Sequence, residues 1–240
     1  MSASSTEADL LDKITSTLER IEAKTAELQG SINDKLGWLP GFVRDKVVAG
    51  WNRFCDYLGR VWTNLNEILS HMGSPSALGD TADAWSDLVG GPVSAQVQTA
   101  EAGLLGADDK WDGAAADAYR QTLPLQKAAL DKVKSTLTDG ISTALSTVAT
   151  GIIAFWAGLV VALVALATGI VGALASSATI LGVPAAPVIA AGAALTASAA
   201  LIAGAETLKA VCASANSLLR QKLADNSAFH EGHWPPAAKA

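Results

Sequence analysis

From residue 4 to residue 36 the apolar side chains fall at Leu11, Ile14, Leu18, Ile21, Leu28 and Ile32, alternately three and four apart, with Thr25 in the one remaining place. That spacing predicts one helix carrying a heptad seam. Ser4 followed by Glu7 has the form of a capping box, which satisfies the first free N–H groups of a helix. Gly37 and Pro40 then predict the end of this helix and the start of the next. Over residues 40–72 the same alternation returns in Val47, Trp51, Phe54, Leu58, Val61, Leu65, Ile68 and Met72. Two seams joined by a short turn predict an antiparallel hairpin over residues 1–73, with Trp51, Phe54 and Trp62 as seam packing. Gly73, Ser74 and Pro75 close it.

A third helical stretch begins near residue 76 and is expected to break or kink at Gly90, Gly91 and Pro92, where glycine freedom meets a missing N–H. It resumes over residues 93–109. After Lys110 come Trp111, Asp112 and Gly113, then an alanine-rich run with strong helix propensity that reaches Tyr119. This predicts a second hairpin over residues 76–146.

The pattern then changes from amphipathic to uniformly apolar. Between Asp139 and Glu206 there is no charged residue. Residues 152–174, IIAFWAGLVVALVALATGIVGAL, exceed the ~20 residues that a helix needs to cross a bilayer core of ~30 Å. Their twelve Leu, Ile, Val and Phe residues favour insertion by about −4 to −7 kcal/mol before the opposing Gly and Thr terms. Residues 188–205 hold only five such residues and form a marginal span alone. Their small residues Gly192, Thr196, Ala200 and Gly204 recur every fourth position, a row on which another helix can lie closely. Two matching rows stand on the first segment: Ala154, Gly158 and Ala162, then Ala165, Gly169 and Ala173. Residues 147–209 therefore read as a hydrophobic, membrane-spanning helical hairpin with residues 181–187 at its tip. Residues 210–223 finish the second helix, and 224–240 read as a disordered tail.

An uncharged tip crosses a membrane without desolvating an ion. Lys132 and Lys134 before the hairpin, and Lys209, Arg220 and Lys222 after it, would keep both ends in the cytoplasm if the cell's own insertion machinery handles the chain.

Composition supports the apolar reading. Half of the 240 residues are hydrophobic, 17% are charged and the mean hydropathy is +0.30, so some apolar surface must face something other than water. A net charge of −6, with 17 bases among 23 acids and no basic stripe, weighs against nucleic acid, and none is expected as a partner. Cys55 and Cys212 are too few for a disulfide framework or a four-ligand zinc site and are expected to be buried. His230, Glu231 and His233 lack zinc-protease spacing, and no phosphate loop or nucleophile elbow occurs. No catalytic, cofactor or metal site is expected, and the chain does not read as an enzyme. Residues 1–30 carry acids and bases throughout and lack the apolar run of a Sec signal, so any export would follow another route.

The run from Trp111 to Tyr119, WDGAAADAY, resembles the turn of the WXG (Trp-X-Gly) family, the helical-hairpin substrates of type VII (ESX) secretion systems. The likeness covers about residues 76–145. In such a turn Gly113 supplies backbone angles closed to other residues, and Trp111 folds over the ends of both helices. The family's export signal, a Tyr with an acid four residues later, is absent: Leu123 follows Tyr119 and Val61 follows Tyr57. A partner chain can supply that signal in the family. The resemblance implies an all-α fold of antiparallel helical hairpins. It implies as partners another WXG-like chain or a second copy, together with the type VII machinery, and a secreted or envelope-associated location. The hydrophobic hairpin adds membrane lipid. Two alternatives stay open: a resident inner-membrane protein with a cytoplasmic helical scaffold, and a soluble helical partner protein that buries its hydrophobic hairpin.

Overall fold

The computed structural model describes residues 3–71, 73–100, 110–225, 227–229 and 231–236. Among them the chain is all-α, without a β-strand. Its helices are α1 (Ala3–Leu36), α2 (Gly41–His71), α3 (Pro75–Ala84), α4 (Gly91–Thr99), α5 (Ala114–Lys132), α6 (Asp139–Ser177) and α7 (Ala186–Ala224). Two π-helical turns, Trp85–Gly90 and Val133–Thr138, join α3 to α4 and α5 to α6. The chain forms two compact units, Met1–Pro75 with Gly151–Ala210, and Ser76–Thr150 with Val211–Ala240.

In the first unit four helices share one core. α1 buries Leu10, Ile14, Ile21, Leu28 and Ile32, while α2 buries Val47, Phe54, Leu58, Val61 and Leu65. Leu11, expected in the seam, is exposed, and Leu10, one turn before Ile14, replaces it. Leu18 and Thr25 are half-buried. Trp51 is also half-buried, its ring 5.3 Å from that of Phe54. Met72 lies outside the described residues. α1 already includes Ala3, so Ser4 stands within the helix rather than capping it, and Glu7 instead accepts hydrogen bonds from Ser74 Oγ at 3.0 Å. α6 contributes Leu159, Leu163, Leu166 and Ile170 to the core, and α7 adds Ala186, Ala190, Ala194, Ala197 and Leu201.

Two turns leave the same end of this unit. Ser31, near the end of α1, hydrogen-bonds Ser177, the last residue of α6, with 2.8 Å between their Oγ atoms. Gly50 of α2 faces Pro187 at the start of α7, with room for a Cβ only 3.0 Å from the proline Cβ. The turn at residues 37–40 and the turn at 178–185 are therefore neighbours. Pro40 starts α2 by accepting hydrogen bonds from the N–H groups of Val43 and Arg44. In the second turn Gly182 packs against the Ser176 carbonyl, a place that a Cβ would occupy.

In the second unit the helix, expected to break or kink at Gly90, Gly91 and Pro92, is not broken there. The chain stays helical by widening into a π turn, in which Gly91 N–H donates to Ser86 O five residues back. Pro92 then falls in the first turn of α4, where its missing N–H leaves no hydrogen bond unmade. Gly90 is buried here because the α5–α6 side approaches closely: a Cβ would stand 2.9 Å from Thr138 Cγ2, within the other π turn. Ser86 Oγ donates to Ser142 Oγ at 3.1 Å beside this contact.

Candidate membrane surface and the Trp-Asp-Gly turn

Among the described residues two helical runs are long and apolar enough to cross a membrane, Ala114–Ser177 and Ala186–Ala224. In their most apolar stretches 39% and 33% is buried within the fold, so part of the apolar surface of each faces outward. Val161 and Val164 are exposed on α6, as are Val188, Leu195 and Ile202 on α7. The last three are seven residues apart and share one helix face.

The small-residue rows divide between this outer face and the core. Ala162 and Ala173 are buried, while Gly169 is half-buried against Ala193, where a Cβ would overlap the alanine methyl. Gly204 meets the Phe155 ring, 3.1 Å from where its Cβ would stand. Ala154, Gly158, Ala165, Gly192, Thr196 and Ala200 are exposed, and nothing lies within 4 Å of a Cβ placed at Gly158 or Gly192. The face that α7 buries is the alanine face Ala186, Ala190, Ala194 and Ala197. It is offset by two residues from the Gly192 row, and two residues are about 200° of helical rotation, nearly the opposite side.

Gly113 has φ of 105° and immediately precedes α5, a conformation that favours glycine. Trp111 packs its ring 5.6 Å from that of Tyr119, and Arg120 Nη2 donates to the Trp111 carbonyl at 2.9 Å. The indole is 40% exposed.

Cys55 and Cys212 are exposed rather than buried. Cys55 follows buried Phe54 by one residue, a rotation that carries it off the core face. The partial burial it retains, then the charge of Asp56, raises its thiol pKa. His230 lies outside the described residues. His233 and Glu231 are exposed, and no group of His, Cys, Asp or Glu among the described residues is arranged to hold a metal ion. The tail, expected to be disordered, is held against α5 in its described part. Gln126 Nε2 donates to the Pro235 and Pro236 carbonyls at 2.8 and 3.0 Å, and Trp234 Nε1 donates to Gln126 Oε1. Asp225 pairs with Lys132, and this bond, followed by one from Ser227, holds its carboxyl below the usual carboxylate range.

One group of large apolar residues lies off the heptad seams. Trp38, Phe42 and Leu181 are 76%, 70% and 93% exposed, and Ile180 is exposed beside Leu181. All belong to the neighbouring turns or the helix start after them. An aromatic between Gly37 and Pro40, and a Phe off the seam of α2, were the local signals. The opposite end of the unit is charged. An open groove of about 320 Å³ between α2 and α7 is bordered there by Glu67, His71, Glu206 and Lys209, with Lys209 bonded to Glu206 at 2.7 Å. No family model, no curated protein and no solved structure matches this chain.

Proposed function

We propose that this chain is a WXG-like, type VII secretion-associated protein that acts at membranes, as an exported effector that inserts its α6–α7 hairpin and assembles there. The observation that carries the membrane part is the charge-free run of residues 140–205 on two helices whose outer faces are apolar and exposed. Water is a poor environment for that surface, and hydrocarbon is a good one. The described conformation is the shelled form. α1 and α2 lay their apolar seams along one side of the hairpin, which keeps the chain soluble enough to reach a membrane. Insertion exchanges those contacts for lipid and for contacts between copies. The small row at Gly192, Thr196 and Ala200, already exposed, is then the face on which a second hairpin packs.

The secretion part rests on the turn. Gly113 at positive φ, a Trp two residues before it and an alanine-rich helix immediately after it are what the WXG resemblance requires locally. Fractionation of the producing cell into medium, envelope and cytosol tests this part. Export through the type VII route predicts that the chain leaves the medium and outer envelope fractions and accumulates in the cytosol when that machinery is deleted. An unchanged distribution contradicts it.

A further inference from the structure

We infer that the exposed tip formed by the turn at residues 37–40 and the turn at 178–185 is the surface by which this protein first engages a lipid bilayer, and that the bilayer it fits is anionic. The inference rests on the membrane reading above and adds which end of the molecule meets the lipid. Four large apolar side chains, Trp38, Phe42, Ile180 and Leu181, come from two separate chain segments to one end of the four-helix unit. Their proximity follows from the Ser31–Ser177 hydrogen bond and from the approach of Gly50 to Pro187. α1 runs five residues past Ser31, ~7.5 Å at 1.5 Å per residue, so Trp38 stands beyond the level of that bond. Leu181 is the most exposed of the large hydrophobic residues described, and nothing in the fold covers it. An indole and a phenyl ring ahead of aliphatic side chains suit the headgroup and acyl boundary, where Trp is enriched.

Charge favours lipid as the occupant and sets its sign. Around the tip, residues 34–46 hold Lys35, Arg44 and Lys46 against Asp34 and Asp45, a net of +1. The other end carries Glu7, Asp9, Asp12, Glu67 and Glu206 against Lys13 and Lys209, a net of −3. Glu7 is placed at that end by its bond to Ser74, and Glu206 by the groove it shares with His71. An anionic surface thus attracts the tip and repels the far end, which orients the unit before any contact. Residues 174–193 add no charge, so the tip of the hydrophobic hairpin lies already at the leading end. It need not turn over to enter.

The test compares the full chain with Trp38→Ser/Leu181→Ser and with Leu88→Ser, which removes a leucine 75% exposed from the other unit. The probes are vesicles of phosphatidylglycerol with phosphatidylcholine, and vesicles of phosphatidylcholine alone. The inference predicts tighter binding to the anionic vesicles. It also predicts about tenfold or greater loss of partitioning in the tip variant with helicity retained, and no change in Leu88→Ser. Equal binding by the tip variant, or an equal loss in Leu88→Ser, overturns the tip assignment and leaves the membrane reading standing. No binding by the unmodified chain overturns the membrane reading itself. Loss of self-association in the tip variant with vesicle binding unchanged would assign the surface to a second copy and also overturn the inference. Should the double substitution impair folding, Leu181→Cys in a Cys55→Ser/Cys212→Ser background carries an environment-sensitive dye. A blue shift on anionic vesicles supports the tip, and an unshifted spectrum with bound protein overturns it.

Discussion

Gly169 of α6 lies so close to Ala193 of α7 that a Cβ at position 169 would overlap the alanine methyl, whereas a Cβ at Gly192, the residue before Ala193, would meet nothing within 4 Å. Neighbours in sequence thus face opposite environments. Gly169→Leu should destabilise the first unit by ~1–3 kcal/mol through overpacking. Gly192→Leu should leave its stability within ~0.5 kcal/mol, as for other exposed substitutions. Denaturant midpoints of the two variants check this. In vesicles the order reverses: Gly192→Leu should bind as well as the unmodified chain while dye leakage falls, because the Gly192 row is the one left free for assembly.

Trp111 and Tyr119 pack ring against ring, tilted by 45°, at the start of α5, with the Trp part exposed. Full burial of a Trp would make its removal cost ~3–5 kcal/mol. At this exposure, Trp111→Ala should instead lower stability by ~1–2 kcal/mol, the aromatic pair together with partial burial. Gly113→Ala, at φ of 105°, should cost more than ~1 kcal/mol although space for the methyl is open. Thermal unfolding separates the two effects. An unchanged transition in Gly113→Ala would mean that the turn can relax, and the WXG resemblance would lose its local basis.

The seams of α1 and α2 were readable because large apolar residues alternate there with charged ones, and a helix in water has one way to bury such a stripe. The choice between Leu10 and Leu11 was not readable, since adjacent leucines both lie within reach of the seam. α7 presents the opposite difficulty. Alanine occupies both its buried row at 186, 190, 194 and 197 and much of its exposed face, so residue size gave no contrast by which to choose a side. Gly90, Gly91 and Pro92 read locally as a break, because the π turn that accommodates them is opposite Thr138, nearly fifty residues away. The placing of Trp38 and Leu181 at one end of the unit, and the seating of the tail on Gln126, depend likewise on tertiary contacts between segments more than a hundred residues apart.

Thr25 fills the one polar place in the α1 seam, and its Oγ1 is buried without a hydrogen-bond partner among the described residues. A buried hydroxyl left unpaired costs ~1–3 kcal/mol. Thr25→Val keeps the side-chain shape and removes that cost, so it should raise the unfolding midpoint by an amount equivalent to about 1 kcal/mol. A fall in the midpoint would show that the hydroxyl is satisfied in solution.

Asp225 has its pKa lowered by Lys132 and Ser227, so its contribution to tail docking is present above the ordinary Asp value of ~3.9 and is lost as pH falls through the lower folded value. Protection of the amides of residues 227–229 and 231–234, taken relative to their intrinsic exchange at each pH, should therefore fall on acidification below about pH 4. In Asp225→Asn that protection should be lower at neutral pH and lose most of its pH dependence. Equal protection in the variant would place the tail's attachment wholly at Gln126.

Membrane insertion by the α6–α7 hairpin is tested most directly by flotation of the full-length, detergent-free protein with anionic vesicles, followed by alkaline carbonate extraction of the floated fraction. The account predicts that the chain floats with lipid and that a carbonate-resistant portion remains, since residues 140–205 present no ion to hold them at the surface. A monodisperse chain that stays in the dense fraction would contradict it and would make the hairpin the core of a water-soluble helical protein.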